Sequence, residues 1–257
     1  MINLMDMSGR NVMVTGAAQG IGLEAAKLLY ALGARLTLLD ANPQKLEQAV
    51  EGLDPQRVLA QSGSVTDRTF LEGLVAEAAE RFGGVHGLVN NAGITRTAMI
   101  DKMSVEQWQQ VIDVNLTGVF NCLQIVGMDM KRRADAGDAS PGSIVNVSSD
   151  AGRKGTIGQI NYGAAKSGVL GVTMSAAREW GRHGIRVNSV AYGVVATEMT
   201  EVVRSEKFRA RYLASIPLGR FLEPAEAVKS IAFLLSDASS FITGQHLSVN
   251  GGSHITA

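Results

Sequence analysis

Tyr162 and Lys166 stand four residues apart, so on a helix their side chains leave one face a turn apart. A phenol titrates at about pH 10 and is a poor proton donor or acceptor near neutrality; a neighbouring ammonium favours the phenolate and lowers that value. Ser149, thirteen residues before Tyr162 at the end of an apolar run, can hydrogen-bond a substrate oxygen. Together the three make an acid/base site for interconverting a carbonyl and an alcohol. Tyr-x-x-x-Lys is also a common chance spacing on solvated helices, so its meaning depends on the elements that carry it.

Those elements alternate. Residues 11–15 are a short apolar run ending in Gly16, and residues 20–29 follow with helical periodicity that stops near Gly33. A strand is predicted over 35–40, then a helix over 43–52 with Asn42 as cap and Pro43 at its first position. The pattern continues with a strand over 57–61, a helix over 67–82 and a strand over 85–90. A long amphipathic helix over 105–130 is capped by Ser104 with Gln107, and a polar loop over 131–141 follows it. Strands over 143–148 and 185–191 flank a helix over 164–180; a charged helix-prone stretch over 198–214 and a helix over 224–235 precede a last strand over 246–249. Apolar strands alternating with helices predict a doubly wound parallel α/β sheet covered on both faces. No repeat, linker or composition break divides the chain, so one domain is expected over 1–257.

The first strand-to-helix connection holds Gly16, Gln19, Gly20, Ile21 and Gly22, a G-x-x-x-G-x-G spacing. Glycines let backbone approach a ligand, and a helix start offers free N–H groups to a pyrophosphate, so the connection reads as a dinucleotide site rather than an ordinary turn. Asp40, at the end of the second predicted strand, can accept hydrogen bonds from adenosine ribose hydroxyls. It would also repel a 2′-phosphate, and neither Ala18, Gln19 nor Ala41 offers a compensating cation. NAD is therefore expected in preference to NADP. Asn90, Asn91, Ala92 and Gly93 end the fourth strand where a bound dinucleotide would lie.

Taken in order, these residues resemble one family, the short-chain dehydrogenases/reductases. The glycine loop 16–22, Asn90-Asn-Ala-Gly93, Asn115 in the run 113–116, Ser149, Tyr162 with Lys166, Asn188, and the closing runs 242–245 and 249–252 all match that family's sequence of motifs, over residues 8–254. The resemblance implies a Rossmann-like sheet of about seven strands, a nicotinamide cofactor and a homotetramer. It implies Tyr162 as general acid/base, Ser149 as orienter of the substrate oxygen, Lys166 as the group that lowers the tyrosine pKa and holds the nicotinamide ribose, and Asn115 as holder of a relay water. It also implies contacts from Ser64 and Val65 to adenine and from Val195 and Thr197 to the carboxamide. Two departures concern the site. Tyr192 stands where the family has proline, placing a ring next to the nicotinamide or substrate space unless it turns outward, and Ser64 replaces an aspartate.

Composition limits the alternatives. Lys plus Arg equals Asp plus Glu at 24 each, and aromatics are 5% of the 257 residues, so neither a nucleic-acid footprint nor a polybasic membrane anchor is expected. The lone Cys122 permits no intrachain disulfide, and the four histidines lack ligand spacing, so no metal site is expected. No signal segment and no run of about 18 apolar residues is read, which predicts a soluble cytoplasmic protein. The expected activity is NAD-dependent interconversion of a small secondary alcohol or polyol and its ketone, with Ser149, Tyr162 and Tyr192 beside the substrate. The alternatives are reduction of a 3-oxoacyl thioester with NADPH, in which branch an arginine before Gly184 is replaced here by His183, and an idle cofactor-binding protein.

Overall fold

The computed structural model describes residues 3–255. Seven strands build one sheet: β1 (Asn11–Thr15), β2 (Arg35–Asp40), β3 (Val58–Ser62), β4 (Gly87–Asn90), β5 (Gly142–Ser149), β6 (Ile185–Tyr192) and β7 (His246–Val249). Their order is β3-β2-β1-β4-β5-β6-β7 and every pairing is parallel. The first five helices are α1 (Gly20–Ala31), α2 (Pro43–Val50), α3 (Arg68–Phe82), α4 (Val105–Ile112) and α5 (Gly118–Asp135). The next five are α6 (Ala151–Lys154), α7 (Ile160–Trp180), α8 (Glu201–Arg204), α9 (Glu206–Ala214) and α10 (Pro224–Leu235). This is the Rossmann-like architecture expected of the alternating pattern.

Both faces of the sheet are buried, which is why its strands read as unbroken apolar runs. Val12 and Val14 turn to one face with Leu36, Leu38, Val145 and Val190, under α1 and α10. Met13, between them, turns to the other with Leu39, Leu88, Ile144 and Val187, under α3, α5 and α7. Strand order reverses between β1 and β4, opening a crevice at the strands' carboxyl ends. Local chemistry sets the helix limits. Asp67 accepts from the Phe70 N–H at the start of α3, and Gly83, at φ 82°, ends it in the left-handed region that glycine tolerates. Ser104 and Gln107 form the expected reciprocal cap of α4.

Several elements differ from expectation. The helix predicted to stop at residue 130 runs to Asp135, because Arg132 and Arg133 pair with Asp129, and Lys131 with Asp135, one turn apart. Only 136–141 remains of the polar loop. Val105–Asp135 is thus a 31-residue helical run, long and apolar enough by length and composition to cross a membrane, contrary to the sequence reading. In its most apolar 18-residue stretch 56% of the residues are buried, as in a core helix packed on the sheet. Within it, Asp113–Thr117 is π-helical. The stretch 198–214 is not one helix but a 3-10 turn at Glu198–Thr200 followed by α8 and α9, divided at Ser205, which is in extended backbone. Cys122 is buried, and that burial pushes its thiol up to about 12.

Candidate active site

Ser149 is the last residue of β5, and Tyr162 and Lys166 lie in the first two turns of α7. Two hydrogen bonds fix that helix to the strand. The Ser148 hydroxyl donates to the Lys166 carbonyl at 2.9 Å, and the Lys166 ammonium donates to the Val147 carbonyl at 2.7 Å. Between strand and helix the short α6 packs so closely that a Cβ on Gly152 would meet the Lys166 carbonyl carbon at 2.6 Å. Ser149 Oγ accepts from the Ala151 N–H at 3.2 Å and stands near enough to Tyr162 to act on its phenol.

The electrostatics differ from the simple expectation that Lys166 lowers the Tyr162 pKa. Although the Tyr162 ring keeps some surface on the cleft, the protein packed around it raises its pKa above the ordinary phenol value, and the Ser149 hydroxyl offsets part of that rise. The Lys166 ammonium lies 5.7 Å from the Tyr162 ring centroid, and burial pushes its own pKa down to about 8. Burial therefore sets the direction of the Tyr162 shift. Tyr162 is held as the neutral phenol, the form that gives a proton away.

Asn115 is fully buried in the π-helical turn, and its side chain is committed to the main chain of Ile94. Its Oδ1 accepts from the Ile94 N–H at 2.8 Å and its Nδ2 donates to the Ile94 carbonyl at 2.9 Å. Both ends of its side chain are thus spent on holding the segment after β4 against the π-turn. Asn188 is likewise spent on structure, bonding the main chain of Ile242 and Gln245.

A cleft of roughly 350 Å³ opens at the carboxyl ends of β1, β2 and β4 and runs to Tyr162 and Lys166. Gly16, Gln19, Gly20 and Ile21 line its floor, Asp40 and Ser64 with Val65 one end, Asn91, Ala92 and Gly93 the middle, and Thr197 the far wall. Gly16 and Gly20 have φ of 65° and 56°, and a Cβ on Gly16 would meet the Ala92 backbone at 2.9 Å, so side chains are excluded from this cradle. α1 starts with no side-chain cap and no acidic residue in its first turn, leaving its N–H groups to an anion. Asp40 is oriented by the Ala18 N–H at 3.0 Å and the Asn42 N–H at 2.9 Å. These residues fit a nicotinamide dinucleotide, whose pyrophosphate the uncapped start of α1 would hold.

Five expected site residues do not line the cleft: Ser149 and Asn115, described above, and Gly22, Val195 and Tyr192. Gly22 is buried behind the loop, where a Cβ would strike the Gly16 carbonyl oxygen at 2.0 Å; it lets α1 pack rather than contacting a ligand. Val195 is buried in the core, with its backbone bridged to Leu222. Tyr192 turns inward beneath α10 and is only 3% exposed. Its hydroxyl donates to the Ala227 carbonyl at 2.9 Å and lies 3.1 Å from Ser230 Oγ, so it neither narrows the nicotinamide space nor meets substrate. Strand alternation decides this: Tyr192 shares a face with the buried Val190, a signal present in the sequence.

Other cleft residues were missed, among them Leu39, Gly63, Val114, Val147, Glu198 and Met199. Most end strands or begin the segment after β6, so position rather than residue type marks them. One cation was overlooked as well. Lys45, from α2, donates to Gln19 Oε1 and pairs with Glu198 at 3.2 Å, spanning the cleft mouth between the glycine loop and the segment after β6.

The chain matches the family model described as enoyl-(acyl carrier protein) reductase over residues 16–254. A 3-oxoacyl-[acyl-carrier-protein] reductase of Thermotoga maritima is 44% identical over 252 residues, covering 96% of this chain and 99% of that protein. Among solved structures, a short-chain dehydrogenase/reductase described as glucose/ribitol dehydrogenase from Brucella melitensis aligns with TM-score 0.91 at 33% identity, covering 98% of this chain and 99% of the other. Levodione reductase aligns with TM-score 0.89 at 32% identity, covering 96% and 98%.

Proposed function

The chain belongs to the short-chain dehydrogenase/reductase family, and from that premise we propose that it reduces the 3-oxo group of an acyl thioester to the 3-hydroxy product. The observation that carries the reading is Tyr162 on the wall of a dinucleotide-shaped cleft with Lys166 beside it, its phenol kept neutral by burial, and Ser149 at the end of the adjoining strand. A bound nicotinamide dinucleotide supplies the hydride. Ser149 holds the substrate carbonyl oxygen, and Tyr162 donates the proton that converts it to a hydroxyl. Lys166, with a pKa of about 8, is largely cationic at neutral pH and stabilises the phenolate that this donation leaves. To Asn115, beside the cleft residue Val114, we assign the relay water through which Tyr162 is reprotonated.

The thioester assignment rests on the 44% identical relative, whose name is that of a 3-oxoacyl-[acyl-carrier-protein] reductase. Lys131 and His183 stand on Asp135, with Arg182 against His183, and Arg132 beside them is paired with Asp129; this group offers an acidic carrier a basic surface, with His183 Nδ1 3.4 Å from Asp135. One observation favours a second reading, an NAD-dependent secondary alcohol or polyol dehydrogenase: Asp40 lines the cleft, and its carboxylate suits free ribose hydroxyls better than a 2′-phosphate. For either substrate we propose NAD(H) as the preferred cofactor, a cytoplasmic homotetramer as the working form, and residues 1–257 as one domain.

The test is a substrate panel run with NADH and NADPH, comparing 3-oxoacyl thioesters with simple ketones and, in reverse, secondary alcohols and polyols. Thioester reduction at least about tenfold higher in kcat/KM than ketone reduction is expected. A preference for a polyol would move the assignment to the second reading, and binding of NADH without turnover of any substrate would overturn both.

A further inference from the structure

Asp150 follows Ser149 directly and is buried to 5% exposure, yet it is not on the cleft and has no part in the chemistry above. Its carboxylate is heavily used. Asn250 Nδ2 donates to Oδ1 at 2.9 Å and to Oδ2 at 3.1 Å, Ser253 Oγ donates to Oδ2 at 2.8 Å, and the Lys154 ammonium stands 3.5 Å away. Its backbone is used as well: the Asp150 N–H donates to the Tyr192 carbonyl at 2.9 Å, and its carbonyl accepts from Arg153 and Lys154 as α6 begins.

The segment bound to this carboxylate touches the other parts of the site. Asn250 lies against Gly193, where a Cβ would meet the Asn250 Cβ at 3.0 Å, and Gly193 opens the stretch that leads to Thr197 on the cleft. Gly251 and Gly252 pack on Ile216 and Pro217, and the Gly251 carbonyl accepts from the Leu218 N–H at 3.2 Å, at the end of the segment carrying α8 and α9. One buried carboxylate thus links the turn that carries Ser149, the stretch leading to Thr197 on the cleft, and the foot of the segment carrying α8 and α9. A buried carboxylate needs such donors to be tolerated. Here they come from a segment about 100 residues away in sequence.

We propose that Asp150 is a positioning residue for this reaction. Through Asn250 and Ser253 it fixes the β5–α6 turn, and with it the Ser149 hydroxyl, against the stretch 193–197 that walls the cofactor. The inference rests on the reading of Ser149 and Tyr162 as the groups that handle the proton. A misplacement of about 1 Å in such a site costs up to about a hundredfold in rate, so the role shows in kcat rather than in cofactor binding.

Three variants test it: Asp150→Ala, Asp150→Asn, and the exchanged pair Asp150→Asn with Asn250→Asp. Asp150→Ala is expected to lower kcat at least about tenfold while the KM for NADH stays within about threefold. The exchanged pair restores a carboxylate–amide bond in reverse and is expected to recover most of that loss. Unchanged kcat in a folded Asp150→Ala protein overturns the proposal, and so does an exchanged pair no better than Asp150→Asn alone. If Asp150→Ala does not fold, the comparison of Asp150→Asn with the exchanged pair decides in the same way. Should wild-type protein turn over no carbonyl substrate, the functional reading fails and hydrogen exchange takes over. Faster exchange at 193–197 and 216–219 in Asp150→Asn, restored in the exchanged pair, supports the linkage, and equal exchange in all three proteins overturns it.

Discussion

Asp40 shows how much one side chain at the rim of this cleft decides. Its carboxylate lines the cleft, fixed by two backbone N–H groups, and a 2′-phosphate brought beside it would meet negative charge. Yet Lys45 reaches the same rim, bonded to Gln19 and Glu198. Removing the carboxylate while keeping the lysine is therefore expected to shift the NADP/NAD ratio of kcat/KM by at least about tenfold toward NADP. Asp40→Ala measures that shift, and Asp40→Ala with Lys45→Gln is expected to lose much of it; a ratio unmoved by Asp40→Ala would remove Asp40 from cofactor choice. Lys45 was invisible to motif reading because it comes from the neighbouring helix, and only the fold brings α2 to the loop. Tyr192 is the opposite case. Its burial was legible in strand alternation, but its place in a family motif drew attention to the ligand side.

Elements matter here through how closely they pack. α6 is a single turn without a helical pattern in the sequence, and it sets the spacing between β5 and α7. Gly152 makes that contact possible, since a Cβ would sit 2.6 Å from the Lys166 carbonyl carbon, a backbone atom that cannot swing aside. Gly152→Ala is expected to destabilise the fold by about 1–3 kcal/mol, and to reduce activity further by moving Lys166 from the Val147 carbonyl. Denaturant melts with kinetics under folding conditions check both, and wild-type stability and rate would show that α6 yields freely. The regular elements were readable because caps, glycines and periodicity agree at their ends: β1, β2, β7 and α10 fall where the residue pattern puts them. The end of α5 was not readable, because its last turn is polar and held by ion pairs between Asp129, Arg132 and Arg133 rather than by an apolar stripe. The breaks between Glu198 and Ala214 were hidden for a similar reason, in a stretch whose charges suit a helix throughout.

On the scale of the molecule, the sheet separates two functions: its carboxyl ends hold the cleft and its amino ends hold the structure together. His86 lies at the amino ends, before β4, where its Nδ1 accepts from the Asn11 N–H at 3.2 Å. Burial, then the Arg133 charge, lowers its pKa to about 4 from the ordinary 6.5. Because the folded pKa is depressed, the unfolded chain takes up this proton first as pH falls, so His86's contribution is intact above about pH 6.5 and lost on the way to pH 4. Thermal melts are expected to show a steeper loss of Tm across that window in wild type than in His86→Gln; parallel curves would mean that the histidine is not buried neutral. The same division explains what could be foreseen. The strand ends nearest the cofactor carry glycines, amides and a carboxylate whose chemistry is explicit, whereas the linkage through Asp150 joins residues about 100 apart and emerges only on folding. The central claim, proton donation by Tyr162, is tested most directly by following nicotinamide absorbance with a 3-oxoacyl thioester and NADH in wild type and Tyr162→Phe. The expected result is turnover in wild type that falls by at least about a hundredfold in the variant with NADH affinity retained, and turnover in Tyr162→Phe within a few fold of wild type would contradict it.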